Sequence, residues 1–269
     1  MKHYLKPVLK ALGFITLYLV VNTVILVGFF ALSDVQEIED ISANAMTAML
    51  IGTQLVVLVI ILFIYKKNLS SVVRFRKTTP KILLWSFVIG LAGINISAIL
   101  IGVMGVLFPT QMAEYIEAIE GSIGGANVLL SVIAAVILAP LVEEIALRGM
   151  LFRWFEKINT KPWVIVILSG LFFGLFHLNL IQGVFTAVIG VLYALAFYMT
   201  KSLWVPIVMH LANNGFAVVA SYLPESIFES MVFIVLSYAM LILIPIGFFA
   251  IKKEMAQQIL VDDAAMSHS

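Results

Sequence analysis

The sequence predicts an all-α fold: a polytopic transmembrane helical bundle of about eight spans with both termini cytoplasmic. Three observations predict it. Of 269 residues, 62% are hydrophobic and 12% charged, about half the ~25% charge of soluble domains. The apolar residues gather into runs that mostly reach the ~20 residues a helix needs to cross a bilayer. The basic residues alternate along the chain between the loops that join those runs.

The first run, roughly 8–32, follows Lys2, Lys6 and Lys10. It exceeds the ~7–15 residues of a signal-peptide core, so it is expected as an uncleaved first helix. Runs at 45–65, 82–108 and 127–147 follow. The stretch 163–200 holds no acidic or basic residue except His177 and is too long for one crossing. It is therefore split near Asn179–Gly183 into 163–181 and 183–200. Runs at 203–223 and 228–251 complete the set. All sixteen Lys and Arg fall at 2–10, 66–81, 148–161, 201 or 252–253. The intervening loops carry Asp34, Glu37, Glu39, Asp40, Glu114, Glu117, Glu120 and Glu225 instead. An even number of spans between successive basic clusters satisfies the positive-inside rule.

The chain reads as one integral domain, 1–269, without linker, low-complexity tract or internal repeat. Without cysteine it forms neither disulfides nor thiolate metal sites. No basic patch with interleaved aromatics suggests nucleic acid; the lipid bilayer is the expected surrounding. Residues 111–120 place Met112, Tyr115, Ile116 and Ile119 on one helical face, which suits a short helix in the outer interface or a solvated loop. Ser169, Gly170 and Gly174, with Ala134, Ala135 and Ala139, permit close packing and would let the fourth and fifth helices touch.

Ionisable groups inside a bilayer cost ~2.5–3.5 kcal/mol each on insertion scales, so those retained are functional suspects. Clear of the loop edges, the candidates are Glu143, Glu144, Arg148, His177 and His210. Glu144 and Arg148 are four apart and able to pair. Glu143 is rotated ~100° from Glu144. Asn214 lies four residues after His210 on the same face, and Asn213 fits that face less well. If the fourth helix continues to about Lys157, Glu143 and His177 lie equally far from the turn at Asn159–Pro162. Glu143, Glu144, His177, His210 and Asn214 are then expected to line one buried polar cavity. A carboxylate and an imidazole sharing a water supply general-base catalysis, and a second imidazole with an amide stabilises an oxyanion. Those parts suffice to hydrolyse a peptide bond. Two His and one Glu are also a possible zinc set with an open position, although no H-E-x-x-H helix is present.

Glu143–Arg148 (EEIALR), Phe173–His177 (FGLFH) and His210–Asn214 (HLANN) together resemble the ordered signatures of the CPBP family. These are intramembrane proteases related to CAAX prenyl protease 2 and to bacteriocin-processing or self-immunity proteins. The resemblance covers roughly 127–220, the expected catalytic core. It implies that Glu143 activates water held by His177, that His210 and Asn214 stabilise the oxyanion, and that Glu144 and Arg148 brace them. It implies packing rather than chemistry for Phe173. The expected function is endopeptidase cleavage of a membrane-associated peptide or protein in a bacterial plasma membrane. The metal dependence of such sites is open, and zinc is possible. Two alternatives have the same residues: an immunity protein that binds without cutting, and a proton-coupled transporter.

Overall fold

The computed structural model describes residues 2–119 and 125–267. Every regular element among them is helical. In chain order these are α1 (Lys2–Leu32), α2 (Ala43–Tyr65), the short α3 (Leu69–Val73), α4 (Pro80–Leu107) and α5 (Pro109–Ile119). There follow α6 (Val128–Glu156), α7 (Pro162–Phe176), α8 (Leu180–Thr200), α9 (Trp204–Ala220) and α10 (Glu225–Glu229). The last are α11 (Met231–Ala239) and α12 (Leu243–Ser267), joined by one 3₁₀ turn into a single apolar stretch. Counting that stretch once, six helices among the described residues are long and apolar enough to cross a membrane, while α7 and α9 are apolar but shorter.

Local chemistry sets the helix starts. Ser42, Thr79, Asn179 and Ser230 each accept a backbone N–H with the side chain, which satisfies a donor the first turn leaves unpaired. Pro80 and Pro162 sit just inside α4 and α7, where no N–H is needed.

The expected division of 163–200 falls earlier than Asn179–Gly183. Helix α7 ends at Phe176, His177 caps it, and Leu178 turns the chain with φ 52° before Asn179 opens α8. A helix of 15 residues rises only ~22 Å, against ~30 Å of hydrocarbon. His177 therefore stands at a helix end rather than within a helix.

Helix α6 continues through Arg148 to Glu156, the extension that brings Glu143 and His177 to matching depth. Two π-helical stretches, Val132–Leu138 and Ile145–Met150, flank Ala139–Glu144. Such widened turns are uncommon and frequent at functional sites.

Packing corrects a second expectation. Gly170 and Gly174 do not face the fourth helix of the sequence reading. A Cβ on Gly170 would meet Ala187 and Val191, and one on Gly174 would meet the Gly183 carbonyl, so both lie against α8. Helix α7 reaches α6 instead through Ser169, whose hydroxyl donates to the Leu147 carbonyl at 3.0 Å. Gly90 of α4 lies against the Met209 main chain of α9, with no room for a Cβ.

The basic segments converge on one end of the bundle. Arg74 donates to both carboxylate oxygens of Glu156, Lys10 lies 5.7 Å from the Trp154 ring, and Lys81 pairs with Glu254 at 3.1 Å. Leu203 N–H donates to the Arg74 carbonyl and the Ser202 hydroxyl to that of Arg76. Burial holds the Lys201 ammonium below its ordinary pKa; Glu156 opposes the shift, and Arg74 and Arg76 add to it. At the other end, Asn127 N–H donates to Asn44 and the Tyr222 hydroxyl to the Ala126 carbonyl.

Candidate active site

Glu143 and Glu144 are adjacent on α6, so their side chains diverge by ~100°. His210 of α9 stands between them. Its Nδ1 is 2.9 Å from Glu144 Oε1, and its Nε2 is 3.7 Å from Glu143 Oε2. One imidazole thus spans two carboxylates from consecutive residues.

Behind this ring Glu144 is fully buried, and its Oε1 also accepts from Arg148 Nη1 at 2.9 Å. Arg148, equally buried, donates through Nη2 to the Gly190 carbonyl at 2.9 Å. Its guanidinium lies 4.8 Å from the Phe173 ring centre and 5.6 Å from that of Tyr193. A buried charge needs such partners, because one left unpaired costs several kcal/mol (~3–5). Gly190 makes the approach possible: a Cβ there would lie 3.1 Å from Arg148 Nη2 and 2.9 Å from Phe173.

A cavity of about 390 Å³ opens on the other side of His210. Glu143, His177, His210 and Asn214 line it. Glu144 and Arg148 do not, which corrects the expectation that Glu144 shares the cavity wall: it holds His210 from behind. His177 Nδ1 is 2.8 Å from the Phe173 carbonyl. A carbonyl only accepts, so that nitrogen carries the proton and Nε2 keeps a free lone pair. Asn214 Nδ2 donates at 2.8 Å to the carbonyl of Ala135, in the first π stretch. Phe173 packs edge-on against both imidazoles, with ring centres 5.0 Å from His177 and 5.4 Å from His210. From Glu143 the cavity extends away from the basic end, to Tyr115 and Ile119 of α5. The segment expected as an interfacial helix or a solvated loop is thus a helix, and Tyr115 and Ile119 of its apolar face line the cavity; its Glu120 lies outside the described residues.

Sequence reasoning passed over several lining residues: Tyr18, Gln54, Ser97, Thr186 and Asn213. Charge inside an apolar run was the signal it used, and these are amides, hydroxyls and a phenol. A carboxamide inside an apolar run, as at Gln54, was a usable signal. Asn213 is three residues after His210, a spacing that shares a helix face as well as four does. Asn22, by contrast, joins α1 to α2 by accepting from the Thr53 hydroxyl.

Among the described residues, no group of three or more His, Asp or Glu side chains is arranged to hold a metal ion. Each imidazole has Nδ1 engaged, by the Phe173 carbonyl or by Glu144, and Glu143 does not complete a three-ligand set with the remaining nitrogens.

Residues 125–216 match the family model described as "Type II CAAX prenyl endopeptidase Rce1-like". The chain is also similar to the protein named "Putative membrane peptidase YdiL" of Bacillus subtilis (strain 168). The two are 30% identical over 169 residues, which cover 58% of this chain and 68% of that protein. The chain belongs to the CPBP family. Its general class is accordingly that of an intramembrane protease, a hydrolase in a multi-pass helical bundle. The match runs from just before α6 into α9 and so spans all three polar signatures, which lie on α6, α7 and α9. No solved structure matches the chain.

Proposed function

We propose that this CPBP protein is an endopeptidase that cuts a membrane-associated peptide or protein in a bacterial plasma membrane, with Glu143 as the group that activates water. The observation that carries this is the 3.7 Å approach of Glu143 Oε2 to His210 Nε2 at the wall of a cavity lined mostly by apolar side chains. That separation exceeds a direct hydrogen bond, so both atoms remain available to a third partner beside them.

In the proposed reaction, water bound between Glu143 and His177 Nε2 gives a proton to the Glu143 carboxylate. Its oxygen bonds to the scissile carbonyl carbon, and the carbonyl oxygen becomes an oxyanion. Protonated His210 and the second N–H of Asn214 donate to it. The C–N bond then breaks, the proton on Glu143 passes to the leaving nitrogen, and a carboxylic acid and an amine result. Glu144 accepts from His210 Nδ1, orients the ring and supplies its countercharge, while Arg148 offsets the Glu144 charge in an apolar interior. No step requires a metal. The bacterial-type relatives that the motifs resemble suggest a small peptide, such as a bacteriocin precursor, as substrate.

The test is to compare membrane-associated peptides in cells making the natural protein and the Glu143→Ala variant. Peptides that stay longer only in the variant are expected, and they identify the substrate. Identical peptide sets, with protection conferred equally by both proteins, would leave a binding-only immunity protein.

A further inference from the structure

Two loops meet at the basic end and form a cationic corner that the cavity chemistry does not use. The Ser202 hydroxyl donates to the Arg76 carbonyl at 2.6 Å, and Leu203 N–H donates to the Arg74 carbonyl at 3.0 Å. These bonds strap residues 74–76 to the turn between α8 and α9, 126 residues further on. Arg74, Arg76 and Lys201 are gathered there. Arg74 and Arg76 both repel the Lys201 ammonium, and among the described residues Glu156 is the carboxylate that attracts it. Glu156 is already held by Nη1 and Nη2 of Arg74. Arg76 is exposed, and among the described residues neither it nor Lys201 forms an ion pair.

Aromatic side chains fix the level of this corner. Lys201 Nζ lies 4.0 Å from the Tyr198 ring centre, and the Trp204 ring lies 5.1 Å from that of Phe75. Tyr198 is 37% and Trp204 43% exposed. Outward Tyr and Trp rings at the ends of membrane helices collect at headgroup depth, because each has an apolar body and a polar edge. Tyr198 lies in the last turn of α8 and Trp204 opens α9, so the cations beside them stand at the level of lipid phosphates. Like charges held together repel, and an anion between them offsets the repulsion. A soluble anion gains nothing from the aromatic rings. A zwitterionic headgroup brings an ammonium that meets cations. A lipid of net negative headgroup brings a phosphate to the cations and acyl chains to the apolar faces beside the rings. The positive-inside rule assigns this end to the cytoplasm, where the leaflet is anionic.

We propose that the corner between α8 and α9 binds one anionic phospholipid, with Arg76 and Lys201 on its phosphate and Tyr198 and Trp204 against its glycerol and upper acyl chains. Arg presents a planar fork to a phosphate, and Lys presents a point charge. The bound lipid ties residues 74–76 to the start of α9, the helix that carries His210. The proposal does not depend on the peptidase reading.

The test uses the full natural chain in a mild detergent, mixed with equal amounts of dioleoylphosphatidylglycerol and dioleoylphosphatidylcholine. Native mass spectrometry counts the lipids that the protein keeps. One phosphatidylglycerol should be kept in preference by about 25-fold, about fivefold for each of two cations near an anionic headgroup. Arg76→Gln and Lys201→Asn should each lower that preference about fivefold. Asparagine suits position 201, where φ is 52°. Thermal unfolding checks that each variant is folded, and Arg76→Ala or Lys201→Gly serves where one is not. Removing two exposed cations elsewhere on the same end, by Lys252→Gln with Lys253→Gln, should leave the preference unchanged. Millimolar glycerol 3-phosphate should not displace the lipid. Four results would each overturn the proposal: no preference in the natural chain, a preference that survives both corner substitutions, an equal loss in the Lys252/Lys253 variant, which means a diffuse field of charge, or displacement by glycerol 3-phosphate, which means a soluble ligand.

Discussion

His210 has a carboxylate on each side of its ring, bonded to Glu144 and 3.7 Å from Glu143, and the two carboxylates have different environments. Glu143 faces the cavity, while Glu144 is sealed behind the ring with Arg148. Their stability contributions should differ accordingly. Glu144→Gln leaves Arg148 as an unpaired buried cation and should lower unfolding stability by about 3–5 kcal/mol. Adding Arg148→Met removes that cation and should restore most of the loss, as thermal unfolding in detergent will show. Cleavage should stay low in the double variant, because the acceptor for His210 Nδ1 is still weakened. If the double variant were no more stable than Glu144→Gln alone, charge pairing would not be the cause. The spacing of Glu144 and Arg148 was legible as an ion pair from the residues alone. That the same carboxylate oxygen also meets His210, 66 residues further on, was not, because no local rule links the two helices.

At the scale of elements, the site depends on how closely α4 and α9 approach. Gly90 lies against the backbone of Met209, the residue before His210. Gly90→Ala must separate the helices and should cost about 1–3 kcal/mol, as overpacking does. It should also reduce cleavage more than that loss of folded protein explains, since it displaces the imidazole. Activity per folded molecule equal to the natural protein would show that the two helices separate without moving His210. The apolar runs announced the helices well, and the basic turn before α7 was read correctly. The end of α7 was not, because Leu178 takes a left-handed backbone that its residue type does not announce. The glycines of α7 signalled close packing, but composition does not say against which neighbour, and α8 rather than α6 occupies that face.

Over the whole molecule, charge and depth are organised along one axis. Basic segments far apart in the chain meet at one end through Arg74–Glu156 and Lys81–Glu254, and the cavity extends from Glu143 toward the opposite end. By the positive-inside rule the basic end is expected to face the cytoplasm. The chain has no cysteine, so single introduced cysteines report topology without background. Glu39→Cys should react with a membrane-impermeant maleimide in intact cells, and Lys77→Cys should react only after lysis. The reverse pattern would invert the protein and place the α5 end of the cavity on the cytoplasmic side.

Composition and charge order were enough to specify a membrane bundle, and three short polar motifs were enough to nominate four residues that line its cavity, Glu143, His177, His210 and Asn214. Both are local signals: a bilayer penalises each exposed polar group where it stands, so the exceptions are visible one by one. Depth, partner and facing are collective. Packing alone turned Glu144 behind His210 rather than into the cavity, and brought Tyr18 and Gln54 from α1 and α2 to its wall. Those outcomes depend on which helix surfaces interlock, and a close-packed interior admits few arrangements that leave room for every side chain at once.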